Sequence, residues 1–150
     1  MKKILFVCLG NICRSPMAEF LMKDMVKQRG IEKEFLIESA GTSNEEEGNP
    51  VHIGTKNKLK EFGISTEGKF ARQMNKEDYQ TYDYIVAMET RNIDGILNII
   101  KKDYYHKIYR LLDFSLNPRD IRDPWYTGNF EDTYQDIKEG LEYFLKYLGY

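Results

Sequence analysis

Nine consecutive residues, Cys8-Leu9-Gly10-Asn11-Ile12-Cys13-Arg14-Ser15-Pro16, set five residues between a cysteine and an arginine, directly before a helix start. The apolar run ahead of them, Ile4 to Leu9, reads as a strand, so the chain passes from strand through a tight loop to a helix N-terminus. A loop so placed can turn successive backbone N–H groups inward, and the helix dipole adds positive potential, which makes an anion cradle. Gly10 and Asn11 are residue types that accept a positive φ at low cost, as a curled loop requires. Arg14 adds a planar fork able to grip two oxygens of a phosphate. At the base of this field the thiolate form of Cys8 is favoured, and a thiolate beneath a bound phosphate is a nucleophile in line with phosphorus. The competing reading makes Cys8 a small buried hydrophobe at a strand end and Arg14 a solvated helix residue. It would win for a lone cysteine, but the complete spacing, with a strand before and Ser-Pro after, favours the chemical reading.

The elements that must carry this loop follow from hydrophobic patterning. Short apolar runs at Ile4 to Leu9, Phe35 to Ile37, Tyr84 to Met88 and Ile108 to Leu112 read as buried strands. Helical stretches lie between them. The first follows Ser15-Pro16, with Ser15 as cap and Pro16 at the first helical position, and runs to Gly30. A second extends from about Val51 to Phe62 and stops at Gly63, with His52 on it as a surface group. The last shows one apolar face through Phe130, Tyr134, Ile137, Leu141, Phe144, Leu145 and Leu148. Strands alternating with helices predict a three-layer α/β/α fold around a central four-stranded parallel sheet, with residues 1–150 as a single domain and the phosphate-binding loop after the first strand.

Composition narrows the function classes. The 150 residues are 41% hydrophobic and 31% charged with a formal net charge of -2, which speaks against a nucleic-acid binder with its excess of clustered Lys and Arg. Two cysteines in one short segment and two histidines far from it, His52 and His106, argue against a disulfide framework and a zinc site. The N-terminal apolar run is too short for a signal-peptide core, and no stretch approaches a membrane span. Free thiols in such a chain predict a reducing, cytoplasmic setting.

The segment from Val7 to Glu19 resembles the signature of the low-molecular-weight protein tyrosine phosphatases, in a bacterial-type member. The resemblance extends along the chain through Ser39-Ala40-Gly41, Ala71-Arg72-Gln73, Tyr82 to Met88 and Asp123-Pro124-Trp125-Tyr126. It implies hydrolysis of phosphotyrosine in proteins through a cysteinyl-phosphate, with inorganic phosphate as product and neither metal nor cofactor. On that resemblance Cys8 is the nucleophile and Arg14 the phosphate clamp. Leu9, Gly10, Asn11, Ile12, Cys13 and Ser15 complete the phosphate loop, with Ser15 donating to the thiolate. Asp123 is the general acid and base, although Asp-Pro alone would read as a turn initiator. Trp125 and Tyr126 form an aromatic wall for the substrate ring, against the alternative that they anchor the loop to the core, and Leu9 and Ile12 form an apolar floor. Asn44, Glu45 and Glu46 line the opposite rim. Asn11 holds the loop's shape by bonding Ser39 and Ser15. Eukaryotic relatives place a histidine near this network, where this chain has Gly68-Lys69-Phe70, so the buttress is open. Arg72 and Asp83 read as structural.

Three rival readings are disfavoured by particular residues. Protein-arginine phosphatases on the same fold carry a threonine where this chain has Ile12, which has no hydroxyl. Arsenate reductases relay a disulfide through further cysteines that this chain lacks. A non-catalytic phosphate-binding module could keep Arg14 and the loop but has no need of both Cys8 and Asp123. Cys13 lies close enough along the loop to protect Cys8 from over-oxidation as a reversible disulfide, against the plainer reading of a packed thiol.

Overall fold

The computed structural model describes residues Met1 to Tyr150. Strand β1 (Lys2–Cys8) lies between β2 (Phe35–Gly41) and β3 (Tyr84–Ala87), and β4 (Ile108–Arg110) lies outside β3. All pairings are parallel, giving a four-stranded sheet of order β2-β1-β3-β4, as the alternation of strands and helices predicts. β1 is apolar without interruption because both its faces are covered. Ile4, Phe6 and Cys8 point to one side, among residues of α1 (Arg14–Gln28) and α6 (Phe130–Tyr147). Leu5 and Val7 point to the other, with Ala40, Ile85 and Ile96. That second layer is made by α3 (Asp78–Thr81) and α4 (Thr90–Ile100), while α2 (Ile53–Lys60) packs on α1 and α6. A short α5 (Pro124–Thr127) precedes α6. Phe6 meets the edge of Phe144 at a centroid distance of 6.4 Å, and a truncation to alanine at such a site costs about 3–5 kcal/mol.

Several expected boundaries move, each for a local reason. β2 runs on past Ile37 to Gly41 because its polar residues pair in register with β1, Ser39 opposite Phe6 and Gly41 opposite Cys8. β4 stops at Arg110, since Leu111 and Leu112 turn into a 3-10 segment that packs on α6. Ser15 does not cap α1. The helix starts at Arg14, Cys13 stands at the cap position without a side-chain bond, and the Ser15 hydroxyl turns inward instead. His52 is no mere surface group on α2: its Nδ1 accepts the N–H of Gly54 at 3.0 Å, capping the helix, and its ring stacks on Phe130. The helices α3 and α4 add to the three helical stretches that the sequence predicts, and in α4 Ile93, Ile96, Leu97 and Ile100 carry a helical spacing. Gly95 within α4 is explained by closeness: a β-carbon there would meet Thr42 Cγ2 at 2.8 Å.

From β1 the chain crosses to β2 on one side and later to β3 on the other. The order therefore reverses at β1, and a crevice opens beyond the carboxyl ends of β1 and β3. The loop after Cys8, the turn after Ala87 and the approach to Asp123 all reach it.

Candidate active site

The loop after β1 is shaped by bonds on its carbonyl side. Cys8 O accepts from Thr42 N and Leu9 O from Ser43 N, both at 2.9 Å; Ile12 O accepts from His52 N at 2.9 Å and Cys13 O from the Thr55 hydroxyl at 3.1 Å. With those carbonyls tied to the surrounding chain, the amides are what the loop has to present, and Asn11 N donates to Cys8 Sγ at 3.3 Å. Asn11 has φ 59°, as expected for the curl. Gly10 does not share the left-handed conformation; its lack of a β-carbon instead admits Glu46, whose Cγ would lie 3.2 Å from one. Gly41, at the end of β2, is needed for the loop to close down, because a β-carbon there would stand 2.7 Å from Leu9 O.

Behind the loop runs a buried chain of polar side chains. Asn11 Oδ1 accepts from Arg72 N at 3.1 Å, which fixes the amide so that Nδ2 donates to Ser15 Oγ at 2.9 Å and Ser39 Oγ at 3.0 Å. The expected Asn11 bonds to Ser39 and Ser15 are thus present. Ser39 gives its own proton to Glu19 Oε1 at 2.6 Å. Ser15, already accepting from Asn11, has its proton left for Cys8 Sγ at 2.9 Å, a closer acceptor than Ala40 O at 3.4 Å. At the far end Lys69 Nζ donates to Ser39 O at 2.8 Å and pairs with Glu19 at 3.3 Å, so a lysine occupies the buttress position that the sequence left open. Burial draws the Lys69 ammonium's pKa below its ordinary value, against the opposing pull of Glu19.

Arg14 is only 3% exposed, and its guanidinium is held from three sides. Nη1 donates to Ile121 O at 2.9 Å, and Nη2 donates to Glu89 Oε1 at 3.1 Å and to Asp123 Oδ2 at 3.3 Å. Burial works against its charge, but the Glu89 hydrogen bond and the nearby negative charges of Cys8 and Asp123 outweigh it and raise the pKa. Glu89 is a partner of Arg14 that the sequence does not single out. It sits just past the end of β3, on the carboxyl edge of the sheet, which was the one signal pointing to it. Asp123 combines the two roles that the sequence set against each other. Its Oδ1 caps α5 by accepting Trp125 N at 3.0 Å, ahead of Pro124, while Oδ2 faces Arg14.

A cleft of about 260 Å³ gathers these groups. Cys8, Cys13, Arg14 and Asp123 line it together with Leu9, Gly10, Ile12, Ser43, Glu45, Glu46, Trp125 and Tyr126. Asn11 and Ser15, buried behind the loop, do not line it, and neither does the exposed Asn44, which corrects its expected place on the rim. Trp125 and Tyr126 are 71% and 73% exposed, which excludes the reading that they anchor the loop to the core. Burial pushes the Cys13 thiol up to about 12, with the negative charge of Cys8 adding to the effect. Arg72 binds Asp78 with both terminal nitrogens and Asp83 accepts from Lys3 N, so both are tied into the framework. A wider hollow of about 940 Å³ adjoins the cleft through Ile12 and Glu46, but holds no cysteine and neither partner of the Arg14–Asp123 pair.

A family model described as low molecular weight phosphotyrosine protein phosphatase matches residues 3–149. The low molecular weight protein-tyrosine-phosphatase YfkJ of Bacillus subtilis (strain 168) is 44% identical over 147 residues, covering 97% of this chain and 94% of YfkJ. Its crystal structure aligns with a TM-score of 0.94 at 43% identity, over 99% of this chain and 94% of that one. The crystal structure of SP-PTP, a low molecular weight protein tyrosine phosphatase from Streptococcus pyogenes, is 40% identical, with a TM-score of 0.89 over 100% of this chain and 95% of its own. A drosophila arginine phosphatase shares the fold at 29% identity and a TM-score of 0.90, covering 100% of this chain and 99% of its own.

Proposed function

Because the chain belongs to the low molecular weight phosphotyrosine protein phosphatase family, we propose that it acts as a single-domain, cytosolic enzyme that hydrolyses phosphotyrosine in proteins, with Cys8 as nucleophile and Asp123 as general acid and base. The observation that carries this assignment is the meeting of Cys8, Arg14 and Asp123 in one cleft, although 109 positions separate Arg14 from Asp123.

In the first step the Cys8 thiolate attacks phosphorus, an S–P bond forms, and the P–O bond to the tyrosine breaks. The leaving oxygen takes a proton from Asp123 Oδ2, since an expelled phenolate is otherwise too basic. The incoming phosphate takes over Arg14 from Asp123, and Arg14 with the loop amides balances charge spreading over the equatorial oxygens. In the second step water attacks the cysteinyl-phosphate and gives its proton to Asp123, while the S–P electron pair returns to Cys8. The Ser15 hydroxyl donates to that sulfur and eases its departure. Inorganic phosphate is released.

Substrate choice follows from the walls. Trp125 and Tyr126 flank a phenyl ring over a floor of Leu9 and Ile12, and only a side chain as long as phosphotyrosine brings its phosphate down to Cys8. Glu45 and Glu46 on the opposite rim favour basic residues beside the phosphotyrosine. The arginine phosphatase reading is less favoured, because Ile12 offers no hydroxyl and the curated relatives YfkJ and PtpA are named protein-tyrosine-phosphatases. Release of phosphate from phosphotyrosine, phosphoserine and phosphoarginine peptides without added metal tests the assignment. Phosphotyrosine should turn over best, Cys8→Ser should abolish the reaction, and Asp123→Ala should lower kcat/KM by about 10²-fold or more with the basic leaving group of tyrosine. Faster release from phosphoarginine, or an active Cys8→Ser protein, would refute it.

A further inference from the structure

Asp136, on α6 and outside the cleft, accepts four hydrogen bonds although it is only 1% exposed. Its Oδ2 takes Arg122 N and Nε, both at 3.0 Å, and its Oδ1 takes Arg122 Nη2 at 2.9 Å and Arg119 Nη2 at 3.2 Å. A buried carboxylate must be paired in this way to be tolerated. What matters is which backbone it pairs with, because every partner belongs to the segment that leads into Asp123.

The Ile121–Arg122 peptide is held at both its edges. Its carbonyl accepts Arg14 Nη1 at 2.9 Å, and its N–H donates to Asp136 at 3.0 Å. The peptide unit is planar, so these two bonds together fix its orientation. The following peptide is held as well: its carbonyl, Arg122 O, accepts the Thr133 hydroxyl at 2.8 Å. Thr133 and Asp136 stand three apart on α6 and share a face. The Asp123 Cα lies about 3.8 Å beyond that of Arg122. A single planar link thus joins the phosphate-binding arginine on one side to a buried helix carboxylate on the other, one residue before the proposed acid.

We propose that Asp136 is a positioning residue for the reaction: acting through the Ile121–Arg122 peptide, it sets where Asp123 stands relative to Arg14 and so governs protonation of the leaving group. This rests on the reading of Asp123 as general acid.

The test compares kcat/KM for phenyl phosphate, whose leaving group needs the proton, with kcat/KM for p-nitrophenyl phosphate, whose leaving group needs it far less. Asp136→Asn keeps shape and loses the charge. A misplacement of the acid predicts a fall of about tenfold with phenyl phosphate and about twofold or less with p-nitrophenyl phosphate, in protein shown to be folded by its thermal transition. Arg122→Ala, at a half-exposed position, removes the two side-chain bonds and should shift the ratio the same way, so it decides the matter if Asp136→Asn does not fold. Equal losses with both substrates would mean that Asp136 only supports the fold, and would overturn the inference. Asp123→Asn measured alongside separates the two levels. If it shows the leaving-group dependence and the Asp136 and Arg122 variants do not, the inference fails alone; if it shows none, the assignment of Asp123 fails and takes the inference with it.

Discussion

The loop from Cys8 to Ser15 and the segment from Asp123 to Tyr126 both contribute to one cleft, yet they are built on opposite lines. In the loop, Asn11, Arg14 and Ser15 are all buried, and each polar side chain has at least two partners within reach. Beyond Asp123 the chain turns outward, with Trp125 and Tyr126 largely in solvent and α5 spanning only Pro124–Thr127. The side that must concentrate charge on one phosphoryl group is over-determined by hydrogen bonds, which remove reorganisation at the moment of reaction. The side that must admit a protein surface is supported from behind, through Ile121 and Arg122, and left open in front. A fixed cradle and an open rim divide the work of chemistry and recognition between them.

This contrast can be broken from either side. Asn11→Ala should do the most damage: it leaves the Arg72 N–H without a partner, which for a buried group costs about 1–3 kcal/mol, and it removes the amide that ties Ser15 to Ser39, although these keep Cys8 and Glu19. Thermal unfolding should shift downward by many degrees and kcat should fall with every substrate; an unchanged transition would show that the network does not stiffen the loop. Trp125→Ala should leave the thermal transition in place, since surface changes stay within about 0.5 kcal/mol. It should raise KM for phosphotyrosine peptides by roughly tenfold, the measure of one lost aromatic contact; loss of stability without a change in KM would make the rim structural. The smallest effect concerns acid. Burial alone would raise the pKa of Asp136, but its bonds from Arg122 and the charge of Arg119 hold it below the ordinary carboxylate value. A carboxylate with a lowered folded value contributes stability above its unfolded pKa of about 3.9, and that contribution fades as the pH falls through the folded value. Denaturant unfolding below roughly pH 4 should therefore weaken less steeply in Asp136→Asn than in the unsubstituted protein.

The same division governs what could be read from the residues. The cradle was legible because strand, curl, arginine and helix start are contiguous, so spacing alone implies a geometry. Asp123 needed more, since nothing local tells an acid from a turn initiator, and the structure shows it doing the capping as well. Glu89 and Asp136 carry no local signal, because their partners lie outside their own stretch of chain: Glu89 and Arg14 are separated by 75 positions, Asp136 and Arg122 by 14. Lys69 raised a question that only its reach to Ser39 O and Glu19 answers. Ser15 misled for the opposite reason. It is an ideal cap by type, but its hydroxyl is recruited to Cys8 and Asn11, and a site that uses a side chain denies it to the helix.

The outward ties on the Cys8, Leu9, Ile12 and Cys13 carbonyls carry a kinetic consequence. A loop already ordered by its own fold loses little entropy on binding, and this holds for any phosphate that enters. On the proposed reaction the released anion meets the same amides and the same guanidinium as the ester did, without the aromatic contacts of the rim. Inorganic phosphate should then compete with substrate, and turnover in a cell would respond to the ambient phosphate concentration as well as to the supply of phosphorylated protein.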